Sequence, residues 1–262
     1  MKISTVFILA MTTLSLQACG NNQPANAEKN NPKETKIHYS AAASLKDALT
    51  DIQGIYQEKH PEERVELDFG GSGAIRQKVS AGSPIDGVLL ASQRDTDKLV
   101  EEQKLEDTQL LLENKLVLIK NKQSELVQVE DLTKQLEAAE KIAVGEPETV
   151  PAGKYAVETL QSLKLFERVQ SKLVMASDVR QVLSYVEAGN VDLGFVYETD
   201  AKLSDRVKIL QSVPDELHAP IVYNTGVVSN SKNQRSTKAF NKFLTTAEAK
   251  EIFGKYGFTI AK

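Results

Sequence analysis

The chain has 262 residues, with 32 Lys and Arg against 36 Asp and Glu, a formal net charge of −4, and 41% hydrophobic residues. These are the proportions of a globular chain, and they exclude a disordered chain, a collagen-like repeat and a multi-span membrane protein. The acidic excess also argues against nucleic acid as a partner, because its phosphates select basic patches. The single cysteine, Cys19, rules out an intramolecular disulfide and a Cys-rich zinc site. His38, His60 and His218 are scattered, without helical metal-ligand spacing. No cation ligand set and no cofactor are therefore expected.

Residues 1–18 place Lys2 before an apolar run from Val6 to Leu16, too short for a permanent membrane span but suited to a secretory signal. The run ends Leu16-Gln17-Ala18-Cys19, which resembles the lipobox of bacterial lipoproteins. That resemblance implies cleavage before Cys19 and a lipid on its thiol. Residues 19–36 are rich in Asn, Pro, Lys and Glu and cannot bury enough apolar surface to offset the entropy of ordering. They are expected to be a flexible tether. The folded part would then be extracytoplasmic and lipid-anchored to the cell membrane.

From residue 37 onward, strand-like and helix-like runs alternate. Ile37–Ala41 reads as a strand, and a helix follows from Ser44. Leu45, Ala48, Leu49, Ile52, Ile55 and Tyr56 fall on one face of that helix, and Ser44 with Asp47 resembles a capping box. Arg64–Phe69 is the next strand and Ser72–Ala81 the next helix. Further β-rich runs are Gly87–Ala91, Lys115–Ile119, Lys141–Val144, Lys172–Met175, Val191–Val196, Val207–Ile209 and Ile221–Val228. Pro151 suits the first turn of a helix reaching Leu163. Val179, Val182, Leu183 and Val186 mark another helix, with Asp178 as cap and Gly189 as stop. Phe240 to Leu244 and Ile252 to Tyr256 mark two closing helices. The alternation predicts an α/β fold with largely parallel sheets.

In open α/β sheets, ligands bind beyond the carboxyl ends of strands, where helices begin. Free N–H groups and a partial positive charge at a helix start can hold an oxyanion without Lys or Arg. Four junctions have small or hydroxyl residues there: Ala41-Ala42-Ala43-Ser44, Gly70-Gly71-Ser72-Gly73, Pro151-Ala152-Gly153 and Ser177-Asp178-Val179. Each alone is no more than a cap or a turn.

Taken together and in order, AAASLKDAL (41–49), GGSGAIRQKVSAGSPID (70–86), ENKLVLI (113–119), AVGEPETVPAGKYAVETL (143–160), DVRQVLSYVEAGNVDLGFVYETDA (178–201) and IFGKYGF (252–258) resemble the molybdate-binding proteins of bacterial ABC uptake systems. The resemblance implies a type II periplasmic-binding-protein fold, two α/β lobes with a ligand cleft between them. Lobe 1 would be 37–117 plus 227–262, and lobe 2 would be 118–226. It further implies a monomer that binds molybdate, and tungstate as well, and passes it to a membrane-embedded ABC permease. The donors it implies are Ser44 and Ser72 through hydroxyl and N–H, Ala152 and Val179 through N–H, and Tyr197 through its phenol. The run IDGVLLAS at 85–92 departs from the family pattern, as does GGSG in place of a serine-rich loop.

A donor-only set suits an unprotonated dianion and penalises hydrogenphosphate, whose proton would face donors. A sulfate or phosphate binder on the same fold is the nearest alternative. A serine hydrolase using Ser72 is a further one, although Ala74 replaces the second Gly of a nucleophile elbow and His218 is the only downstream histidine. GEPETVPAGKY at 145–155 is not a phosphate loop, because Tyr155 stands where Ser or Thr is needed.

Overall fold

The computed structural model describes residues 34–262. The expected signal segment, the expected lipidation site Cys19 and the expected tether up to residue 33 lie outside them. The first strand, β1 (Thr35–Ala42), takes in the last two residues of the expected tether.

The elements then follow as α1 (Lys46–Lys59), β2 (Glu63–Gly70), α2 (Ser72–Ser80), β3 (Gly87–Leu90), α3 (Gln93–Glu101), β4 (Leu105–Glu113) and β5 (Leu116–Asn121). Next come α4 (Leu132–Ala138), β6 (Ile142–Gly145), α5 (Pro151–Ser162), α6 (Phe166–Val169), β7 (Leu173–Ala176), α7 (Val179–Glu187), β8 (Leu193–Tyr197), α8 (Glu198–Lys202) and β9 (Val207–Ser212). The chain closes with β10 (Val222–Val228), α9 (Gln234–Phe243), α10 (Ala247–Lys255) and β11 (Thr259–Ile260).

Two sheets result, one of six strands in the order β11-β4-β10-β3-β1-β2 and one of five in the order β7-β6-β8-β5-β9. The expectation of largely parallel sheets needs correcting. Strands β1, β2 and β3 are parallel, as are β6, β7 and β8, but β10 runs against β3 and β4, β11 against β4, and β5 against β8 and β9. The reason is topological. The chain passes from the first sheet to the second before β5 and returns before β10, and each of these two strands lies between two neighbours, β8 and β9 or β3 and β4, and runs in the opposite sense to both.

The two passages run side by side. Asn114 N–H donates to Ile221 C=O at 3.1 Å, and Val213 N–H donates to Leu116 C=O at 2.9 Å. Divided by sheet membership, the chain breaks near 114 and 221, a few residues before 117 and 226. Those later points would cut through β5 and β10. At the sheet edges β2 and β7 are only partly buried, whereas the inner parallel strands β3 (GVLL) and β6 (IAVG) are fully buried and read as continuous apolar runs. Helices cover them with one apolar face each. Val182, Leu183 and Val186 of α7, for example, are buried with Phe195 of β8.

Candidate functional site

The carboxyl ends of β1, β2 and β3 point at those of β6, β7 and β8. A small cavity lies between them, with Ala43, Ser44, Gly71, Ser72 and Ala91 on one side and Val150, Pro151, Asp178, Val179 and Tyr197 on the other. Its volume of about 10 Å³ is roughly the room one water needs. A four-oxygen anion is larger, so its entry must part the two walls.

On the first wall both serine hydroxyls are held by neighbours in their own sheet. Ser72 Oγ accepts from Ala91 N–H at 2.9 Å, which leaves the serine proton to donate elsewhere. Ser44 sits in a single 3-10 turn, Ala43–Leu45, ahead of α1. Its hydroxyl makes no capping bond, contrary to the capping-box expectation. It turns instead to the Tyr223 hydroxyl on β10, 3.0 Å away.

On the second wall the donors are helix starts and one phenol. Asp178 caps α7 as expected, and its Oδ1 accepts from Arg180 and Gln181 N–H at 2.8 and 3.0 Å. Those bonds do not use the Val179 N–H, the first-turn donor of that helix. Tyr197 ends β8. Its side chain is 2% exposed, and its hydroxyl has no hydrogen-bond partner among the described residues. Burial holds this phenol well above its ordinary pKa, so it remains an O–H donor. A buried hydroxyl without a partner is costly, and here it borders the cavity.

The structure brings Ser44, Ser72, Val179 and Tyr197 to one cavity. Ala152 does not line it, although its neighbours Val150 and Pro151 do. Ala152 is the second residue of α5, and its side chain is buried. Gly153 lets that helix start sit directly on the end of β6, since a Cβ there would fall 1.8 Å from Gly145 C=O. Ser92 is the cap of α3, accepting from Asp95 N–H at 3.1 Å.

Two contacts close one wall on the other. Gly73 N–H donates to Thr149 C=O at 2.9 Å. A Cβ on Gly71 would lie 2.4 Å from that same carbonyl oxygen, and one on Gly73 would lie 2.8 Å from Thr149 Cα. The GGSG loop is therefore glycine-rich because the opposite backbone approaches it. Beside the cavity, Arg180 Nη2 lies 2.6 Å from Asp47 Oδ2 on α1 while its Nε lies 2.6 Å from Asp200 Oδ1 on its own side. Asp200 is fully buried, and desolvation lifts its carboxyl to about 7 against the opposing pull of Arg180. Sequence reasoning missed the Ser44–Tyr223, Asn114–Tyr223 and Arg180–Asp47 contacts, because partners more than a hundred residues apart leave no spacing signal.

A larger cavity of about 370 Å³ lies nearby, between α3, the start of α5 and residues 219–222. Its lining is mainly apolar, with Pro147, Pro151, Tyr155 and Pro220 prominent. Among the described residues that line it, none offers a buried unpartnered donor comparable to Tyr197.

Two α/β lobes joined by two adjacent passages, with helix starts from both meeting at a small donor-lined cavity, define a type II periplasmic binding protein. Comparison with known proteins agrees. A family model described as bacterial extracellular solute-binding protein matches residues 37–259. YvgL of Bacillus subtilis is 40% identical, with 98% of each chain covered. The molybdate-binding protein ModA of Escherichia coli is 37% identical over 87% of this chain and 90% of its own. The periplasmic molybdate-binding protein of Azotobacter vinelandii shares the fold, with a TM-score of 0.75 at 20% identity over 86% of this chain and 100% of that one. The chain belongs to the bacterial extracellular solute-binding protein family.

Proposed function

We propose that this protein captures molybdate, and tungstate as well, outside the cytoplasmic membrane and delivers it to an ABC permease. The observation that carries the reading is the buried Tyr197 hydroxyl, without a partner and facing a cavity that also holds the Ser44 and Ser72 hydroxyls. Every group proposed as a ligand contact is a donor: Ser44, Ser72, Tyr197 and the N–H groups of Ala152 and Val179. A fully deprotonated tetrahedral dianion can accept from all of them. Hydrogen bonds to a charged group contribute about 1.5–3 kcal/mol each, enough together for tight binding without a lysine or arginine in the set. The names of the ModA relatives support molybdate as that dianion.

The lobes in this reading are 34–114 with 222–262, and 116–212, and they close on the ligand about the paired passages. The protein acts as a monomer and carries out no reaction. Ser72 does not serve as a nucleophile, since its hydroxyl partner is Ala91 N–H while His218 packs beside Tyr155. Anchoring through Cys19 follows from the lipobox-like segment, and YvgL carries the word lipoprotein in its name.

Calorimetric titration with molybdate, tungstate, sulfate and phosphate tests the reading. Molybdate and tungstate should bind with similar affinity and far above the other two. Binding of sulfate or phosphate alone would replace the reading with a different oxyanion.

A further inference from the structure

The Ser44 hydroxyl is not free to choose its direction. Behind it stands Tyr223, and behind Tyr223 stands Asn114 in the first passage between the sheets. Asn114 Oδ1 accepts from Lys115 N–H at 2.9 Å, which fixes the orientation of the amide. Its Nδ2 group must then point the other way, donating to Tyr223 Oη at 3.1 Å and to Thr199 Oγ1 at 2.9 Å. An amide NH2 can only donate. Tyr223 Oη is therefore the acceptor in that bond, and among the described residues the only acceptor in reach of its own proton is Ser44 Oγ at 3.0 Å. Ser44 Oγ receives that proton and is left with its own O–H to offer to the cavity.

We propose that Asn114 and Tyr223 are positioning residues that fix Ser44 as a donor, and that they thereby make the site prefer an oxyanion without a proton over one that carries one. The inference rests on the oxyanion reading of the cavity given above. Three features support it. Tyr223 is fully buried, so its proton cannot turn to water. Burial also holds its pKa far above the ordinary phenol value, so the relay stays protonated. Asn114 bridges Tyr223 on one sheet to Thr199 beside the other, so the relay is assembled where the two passages meet.

Reversing the relay should reverse the preference. In Asn114→Asp the introduced carboxylate still accepts from Lys115 N–H, but toward Tyr223 it offers a lone pair. Tyr223 then donates to that carboxylate, Ser44 donates to Tyr223, and the cavity faces a serine lone pair able to take a ligand proton. In Tyr223→Phe the relay is cut and Ser44 can rotate either way.

The experiment is titration of the wild type and both variants with molybdate and with inorganic phosphate at about pH 8, where both ligands are dianions. The added charge of Asn114→Asp weakens both ligands alike, so the ratio of the two dissociation constants isolates hydrogen-bond direction. The molybdate-over-phosphate preference should fall by about tenfold or more in Asn114→Asp and by roughly threefold in Tyr223→Phe. A purely structural role would lower both affinities together and leave the ratio unchanged, and an unchanged ratio in both variants overturns the proposal. A wild type that binds molybdate while the ratios stay fixed would overturn the relay alone. A wild type that takes no oxyanion would overturn the binding reading with it.

Discussion

The two walls of the cleft hold their donors by different means. On the first wall each serine hydroxyl is already bonded, Ser72 to Ala91 N–H and Ser44 to Tyr223, so its free proton is aimed before any ligand arrives. On the second wall the open donors are unmet: the Tyr197 hydroxyl, which has no partner among the described residues, and the Ala152 and Val179 N–H groups, which receive no side-chain capping bond at the starts of α5 and α7. The first wall is organised in advance. The second carries an unmet hydrogen-bonding demand that a ligand would relieve. That difference gives a physical account of why closing the second wall over a bound oxyanion is favourable, while closing it over nothing is less so.

The most severe way to break the arrangement is to stop the walls from meeting. Gly73→Ala places a Cβ against the backbone of Glu148 and Thr149. The lobes should stay apart and the second-wall donors should be lost to the ligand together. Two or more charge-assisted bonds would go, and affinity should fall by more than about a hundredfold. Small-angle scattering should find no compaction on adding molybdate.

Tyr197→Phe sharpens the comparison. It removes one donor, and molybdate affinity should drop by about ten- to a hundredfold. It also removes a buried group without a partner, so the ligand-free protein should melt at the same temperature or higher. Ser72→Ala should behave differently, because affinity and ligand-free stability should fall together. The buried Ala91 N–H loses its acceptor at a cost of about 1–3 kcal/mol. Should both variants destabilise the ligand-free protein equally, the two walls would not differ as described.

The smallest effect concerns Asp200 behind the second wall. Its carboxyl is raised from 3.8 to about 7 by burial. A folded state that holds a proton more tightly than the unfolded chain is favoured below the unfolded pKa, and that advantage is lost as pH rises through the folded value. Chemical denaturation across about pH 4 to 7 should therefore show wild-type stability declining relative to Asp200→Asn. A difference that is flat with pH would place the carboxyl titration elsewhere.

Much of this was legible in the sequence, for reasons that differ by element. Helix α7 announced itself through Val179, Val182, Leu183 and Val186, its Asp178 cap and its Gly189 stop, and Asp178 does cap it. Buried strands such as β3 and β6 read as short apolar runs. Strand β4 was missed because residues 107–110 are exposed and polar or charged but for Leu110, so its pattern lacks an apolar face there. Helix α3 was missed because QRDTDKLVE is mostly charged and buries only Asp95, Thr96 and Leu99. The Ser44 capping box misled, since a hydroxyl that fits a local cap can be taken by a distant phenol. At the site, helix starts were visible because glycine and hydroxyl residues mark them. The groups that aim those donors were not, because Asn114 and Tyr223 meet only after the chain has crossed between the lobes and returned.

The central claim is that the ligand is held between the two walls by donors alone. A crystal structure of the protein with molybdate, phased at the molybdenum edge, tests it most directly. The metal should appear in the small cavity, with its oxygens within hydrogen-bond distance of the Ser44, Ser72 and Tyr197 hydroxyls and of the Ala152 and Val179 N–H groups. An anomalous peak in the larger cavity beside Tyr155 and Lys154, or a protein atom bonded directly to molybdenum, would contradict the account.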